Sequence, residues 1–112
     1  MSKRDERLLL LEMSEAVKKI ILYTTGLDFT SYLEDSKTQD AVLRNLTVLG
    51  EAANQLSDQF CSAHPAIEWE KIIRSRHILV HDYFDIDHEI IWRIVTDYLI
   101  PLQTELEAIL EK

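Results

Sequence analysis

Apolar positions recur along this chain at alternating steps of three and four residues, the spacing of one face of an α-helix. Leu9, Leu10, Met13, Val17, Ile20, Ile21 and Thr24 form a first stripe, predicting a helix from about Arg4 to Thr24 with Gly26 as its C-terminal cap. Asp28 or Thr30 can cap a short turn through Ser31, Tyr32 and Leu33, and Ser36 is placed to cap a second long helix. The stripe of that helix, Val42, Leu46, Leu49, Ala53, Leu56 and Phe60, is the clearest in the chain and runs on until Pro65 stops it. Gly50 within it predicts close packing against another element. Asn45, at the edge of the stripe, is placed to hydrogen-bond into the interior, while Arg44 and Glu51 point away and read as solvated. Glu68 and Trp69 open a third helix, which Asp85-Ile86-Asp87 breaks, with Asp87 capping the last one. Ile91, Ile94, Val95, Tyr98, Leu102, Leu106 and Ile109 line the buried face of this last helix. Pro101 predicts a kink there, because it cannot donate to the Asp97 carbonyl. The sum is an all-α bundle of four to five helices, four long and one short, in a single domain over residues 1–112.

Composition agrees with long helices: apolar residues make up 46% of the chain, with only two glycines and two prolines to punctuate it. A lone cysteine, Cys61, has no partner for an internal disulfide and points to a reducing compartment. The charged start, Met1 to Arg7, lacks the pattern of a signal peptide, and no apolar run approaches a membrane span. The expectation is a cytoplasmic protein with no membrane partner. Three apolar residues do not fit one face: Ile78 lies opposite the third helix's stripe, and Ile90 and Leu99 widen the fourth. Two apolar faces on a small bundle predict a homodimer.

Charge draws attention to one segment. The chain carries 12 basic and 20 acidic residues, a formal −8, yet Lys71 to His81 holds three Lys/Arg, two His and no Asp or Glu. A basic island in an acidic chain suits a small anionic ligand better than a long nucleic-acid backbone. Within this helix Arg76 falls in the middle of the stripe of Trp69, Ile72, Ile73, Leu79, Val80 and Tyr83. A guanidinium keeps its proton there, so it needs a carboxylate or a ligand. His81 sits roughly 140° round the helix from Arg76. The two make no tight pair on one regular helix unless Arg76 reaches round, the helix ends near His81, or a second subunit completes the site.

Three chemistries compete. RNA cleavage without a metal needs a base for the 2′-hydroxyl proton and a fixed cation for the phosphate. His81, with a pKa near neutrality, suits the first role and the planar fork of Arg76 the second. Tyr83 is placed to orient the phosphate or His81. A metal site is the second reading: His77 and His81 share a helix face four residues apart, with Asp85 as a third ligand. No zinc-protease Glu or Cys pair accompanies them, and a solvated histidine face explains the spacing as well. The third reading is a pure interaction module, a non-catalytic acidic helical bundle with an apolar interface, favoured if a buried carboxylate satisfies Arg76. His64 and His88 read as helix-end residues, and Trp69 and Trp92 as core or interface.

Arg76-x4-His81-x-Tyr83, within RSRHILVHDYFDID, resembles the signature of the HepT-like ribonuclease toxins, small helical domains of the HEPN superfamily. Lys37 to Phe60, His64-Pro65 with Trp69, and the last helix around Trp92 and Pro101 resemble the same family, so most of the chain is covered. The resemblance implies a HEPN-type bundle that dimerises through the motif-bearing helix, so that Arg76 and His81 of both subunits share one cleft. It further implies metal-independent RNA cleavage with Arg76 and His81 catalytic, His77 and Tyr83 supporting, and no cofactor or metal. The expected partner is a minimal nucleotidyltransferase antitoxin, in a type VII toxin–antitoxin pair, that transfers AMP to Tyr83. Bulk and negative charge would then fill the cleft where RNA phosphate binds. The chain departs from the pattern at His77, where the family commonly has Asn, and at Arg74-Ser75 before the motif. These changes bear on the tuning of the site.

Overall fold

A computed structural model describes residues 5–81 and 86–111, with the backbone alone for 77–81. Among these residues there are helices and no strands, as the apolar periodicity predicts. The elements are α1 (Glu6–Thr24), α2 (Phe29–Leu33), α3 (Ser36–Asn54), α4 (Asp58–Ala63), α5 (Trp69–His81), α6 (His88–Arg93), a π-helical turn (Ile94–Tyr98) and α7 (Leu99–Leu110).

Local chemistry explains the boundaries. Asp5 caps α1, its carboxylate accepting from the Arg7 amide at 2.8 Å, and Gly26 follows the helix at φ +83°, a conformation that suits glycine. Asp28 caps α2 by accepting from the Ser31 amide at 2.8 Å. Asp35, not Ser36, caps α3: its two carboxylate oxygens accept from the Thr38 amide at 3.0 Å and the Thr38 hydroxyl at 2.6 Å. A carboxylate also complements the positive end of the helix dipole, which a serine cannot.

The stripe predicted to run unbroken to Pro65 is divided. The helix ends at Asn54, and Ser57 starts α4 by accepting from the Phe60 amide at 3.1 Å while its hydroxyl donates to Glu6 on α1 at 2.6 Å. A side chain that competes for backbone and neighbour in this way breaks a helix more effectively than periodicity sustains it. Leu56 is nevertheless buried and Phe60 packs on the core. Asn45 donates to the Ala41 carbonyl of its own helix at 2.8 Å, so it serves α3 and not the interior.

The last helix carries a π turn where a proline kink is predicted. The Leu99 amide donates five residues back to the Ile94 carbonyl, and Asp97, whose carbonyl would meet the Pro101 ring in a regular helix, lies inside this turn. The wider turn keeps Ile91, Val95, Leu99, Leu102 and Leu106 on one buried face despite two consecutive steps of four. Leu99 is therefore core, at 1% exposure, and does not extend a second apolar face. Among the described residues the exposed large apolar side chains are Ile90, as predicted, with Leu8, Leu11, Leu22, Tyr23, Leu33 and Ile100. The Ile78 side chain lies outside the described residues.

The core forms where α1 and α3 pair, with α7 closing on α1, and α2 bridging α3 and α6. Tyr32, fully buried, stacks on Trp92 with ring centroids 4.9 Å apart and edges onto His88 at 5.7 Å. α5 is placed differently: among the described residues its main packing partner is α3. No described helix is long and apolar enough to cross a membrane.

Candidate functional site: an arginine seated on a glycine

Among the described residues, the basic segment is gripped from another helix at Arg76. α3 and α5 approach so closely at Gly50 that a β-carbon there would stand 2.7 Å from Arg76 Cβ and 3.2 Å from the Ile72 carbonyl oxygen. The glycine predicted to mark close packing does so at the motif arginine. The next residue, Glu51, is exposed, as the sequence predicts, and is also the partner: Arg76 Nε donates to its Oε1 at 3.2 Å. The apolar stripe of α5 thus turns Arg76 onto α3, and α3 meets it with a carboxylate. The side chain of Arg76 stays 28% exposed and that of Glu51 50%.

The other cations of the segment are matched locally. Lys71 pairs with Glu68 at 2.7 Å and Arg74 with Glu70 at 3.3 Å, three and four residues back and well exposed. Such pairs hold weakly in water and yield to competing ions. The basic island is therefore less basic in space than in sequence, because Lys71 and Arg74 have acidic neighbours just before the Lys71–His81 window and Arg76 has Glu51 on α3.

Beside α5 lies an apolar groove of about 280 Å³, with Leu46 and Leu49 of α3 on its floor, Ile72 and Ser75 of α5 on one wall, and Ile94, Tyr98, Leu99 and Leu102 on the other. The Tyr98 hydroxyl is buried without a hydrogen bond of good geometry. Burial, and after it the neighbouring Glu68 carboxylate, push its pKa up to about 12. Glu68 is held below the usual carboxylate range by Lys71 first and Tyr98 second. Cys61, half-buried, has its thiol pushed up by burial and by Asp58 and Glu6, so it is not an activated nucleophile.

His77 and His81 lie in the last turns of α5, but their side chains are outside the described residues, as are Tyr83 and Asp85 altogether. Of the motif residues, the structure places Arg76 with Glu51. Among the described residues no group of three His, Cys, Asp or Glu is arranged to hold a metal ion. His64 ends α4 with its ring 4.5 Å from Phe60 and its carbonyl accepting from Trp69 Nε1 at 2.9 Å, and Trp69 is core. Glu51 is the residue that reading the sequence misses. The signal for it is its place beside Gly50, since a helix-crossing glycine puts its neighbour at the rim of the contact.

The family described as "Ribonuclease HepT-like" matches residues 13–109. This chain belongs to the HepT-like ribonuclease family. Among its relatives is a protein named "Putative RNase" from Methanocaldococcus jannaschii, 40% identical over 99% of this chain and 92% of its own length. A second so named from the same organism is 30% identical over 97% of this chain and 100% of its own length. A "Probable ribonuclease HepT" from Thermococcus cleftensis is 34% identical over 96% of this chain and 97% of its own length. No solved structure matches the chain with significance. The HepT-like match spans α3, where Gly50 and Glu51 sit, and α5, so the arginine seat lies within the part of the chain that carries family membership.

Proposed function

We propose that this HepT-like protein is the toxin of a type VII toxin–antitoxin pair and a metal-independent RNA endonuclease, with Arg76 and His81 as catalytic residues. The observation that carries the reading, alongside family membership, is the state of Arg76: partly exposed on α5, gripped through one nitrogen, and five residues before His81. In the proposed reaction His81 takes the 2′-hydroxyl proton as the 2′-oxygen bonds to the adjacent phosphorus. The bond to the 5′-oxygen breaks, that oxygen takes a proton from solvent or an imidazolium, and the product ends are a cyclic phosphate and a 5′-hydroxyl. Arg76 offsets the charge that builds on the phosphate oxygens. His77 and Tyr83 support the site. A homodimer with the two motif-bearing helices facing one cleft brings Arg76 of one subunit near His81 of the other, which answers their divergence on a single helix. The compartment is the cytoplasm.

Regulation follows from the same cleft. The partner is a minimal nucleotidyltransferase antitoxin: the Tyr83 hydroxyl attacks the α-phosphorus of ATP, pyrophosphate leaves, and a phosphodiester-linked AMP blocks RNA phosphate by charge and bulk. If Tyr83→Phe remained fully suppressible by that partner, this part of the reading would fail.

A second reading, a non-catalytic nucleotide- or protein-binding module, is favoured by one observation: the Arg76–Glu51 pair gives the guanidinium a structural role. Cleavage of total cellular RNA in excess EDTA separates the two. The expected result is cleavage by wild type and a loss of about 100-fold or more in Arg76→Ala and His81→Ala. A folded wild-type dimer, free of AMP on Tyr83 by mass, that leaves RNA intact would overturn the nuclease reading.

A further inference from the structure

We infer that Glu51 is the positioning residue of this active site: it grips Arg76 from the side and thereby presents the rest of the guanidinium to RNA phosphate. The inference rests on the ribonuclease reading above and deepens it. Of the three Lys/Arg cations in the motif segment, Arg74 is paired with Glu70 within α5 and Lys71 with Glu68, the residue just before it, so neither is held by another helix. Arg76 alone is tied to another helix, and that helix is embedded in the core through Leu46, Leu49 and Ala53. Gly50 allows the tie, since a β-carbon there would stand 2.7 Å from Arg76 Cβ and force α5 or Arg76 to shift.

The geometry of the contact matters as much as its existence. Among the described residues Glu51 meets Nε only. Of the five N–H groups of a guanidinium this leaves the four on Nη1 and Nη2, the edge that takes two phosphate oxygens side by side. A carboxylate gripping that edge would compete with substrate. One gripping Nε fixes the plane of the fork and leaves its working edge available. Arg76 is the catalytic group in this account and Glu51 acts through it.

The test is cleavage of a short RNA oligonucleotide in EDTA under single-turnover conditions, with enzyme in excess so that slow variants stay measurable. Glu51→Ala is expected to lower the maximal rate by about 10- to 100-fold while the half-saturating enzyme concentration changes little, as for a group that aligns without binding. Glu51→Gln, which keeps an oxygen to accept from Nε and guards against a folding failure of the alanine variant, should fall between it and wild type. In an Arg76→Ala background, Glu51→Ala should cost nothing further. A wild-type or raised rate in Glu51→Ala, or an undiminished loss in the Arg76→Ala background, overturns the inference while leaving the nuclease reading intact. An Arg76→Ala variant as active as wild type removes the catalytic role of Arg76, and the role of Glu51 with it.

Discussion

α1 and α5 both lie against α3, yet they are built for different purposes. α1 is 19 residues long, is packed by α3 and α7, and buries Leu9, Leu10, Met13, Ala16, Val17 and Ile20. α5 is 13 residues long, rests mainly on α3, and among its described side chains buries Trp69 and Ile72. With each large apolar side chain contributing roughly 1.5–3 kcal/mol on burial, α1 belongs to the frame and α5 to the less stable end of the molecule. Beside α5 lies an apolar groove. The comparison teaches how a small bundle holds a charged residue at a site. Among the described side chains of the motif helix, the frame buries Trp69 and Ile72 and leaves Arg76 partly exposed. It meets this helix at one close crossing, a glycine followed by a carboxylate, and fixes the arginine there.

The contrast can be tested by substitution. The largest effect is expected in the frame: Ile20→Ala, at a fully buried position, should cost about 2–5 kcal/mol in denaturant unfolding, whereas Ile73→Ala, at a partly buried position of α5 packed on the core, should cost about 1 kcal/mol. If the two cost the same, α5 is as much a part of the frame as α1.

Gly50→Ala comes next. Overpacking of about 1–3 kcal/mol is set against a gain of up to about 1 kcal/mol in helix propensity. Its signature is local: amide exchange should rise along α5 and stay unchanged along α1. Alkaline unfolding compares the two sides again. Burial raises the pKa of Tyr32, in the frame, to about 12, and Tyr98, on the groove, is raised as far with help from Glu68. The folded chain thus holds both protons more tightly than the unfolded chain, whose tyrosines titrate near 10. Their contribution is full below pH 10 and is lost as pH rises through about 12. Tyr32→Phe and Tyr98→Phe should each flatten part of that loss. The smallest effect is expected at Arg74→Ala, under about 1 kcal/mol in thermal unfolding, because its ion pair is solvated.

The bundle was legible in the sequence because apolar spacing reports burial directly, and most helix ends were legible because Asp28, Asp87 and Gly26 carry their own local chemistry. The division at Ser57 was not, since it depends on Glu6 arriving from a helix some fifty residues away. Nor was Asp35, which differs from Ser36 only in which side chain reaches the Thr38 amide. At the site, the exceptional place of Arg76 in an apolar stripe was readable, and so was its need for an acceptor. The identity of that acceptor was not. Glu51 lies off the buried stripe of α3 and is half-exposed, so it looks solvated until α5 is seen to cross at Gly50. Leu99 misled for a related reason: its spacing fits a regular helix poorly and the π turn well.

That π turn has a consequence for how the chain tolerates length changes. A π turn holds one residue more than an α-turn while leaving the helices on either side in phase. It is one residue of slack. Deleting exposed Thr96 together with Pro101→Ala should convert the segment to regular helix and leave Val95, Leu102 and Leu106 facing inward. The same deletion at exposed Arg44 in α3 has no slack to consume. It would turn everything after it by about 100° and swing Gly50 and Glu51 away from the arginine they seat.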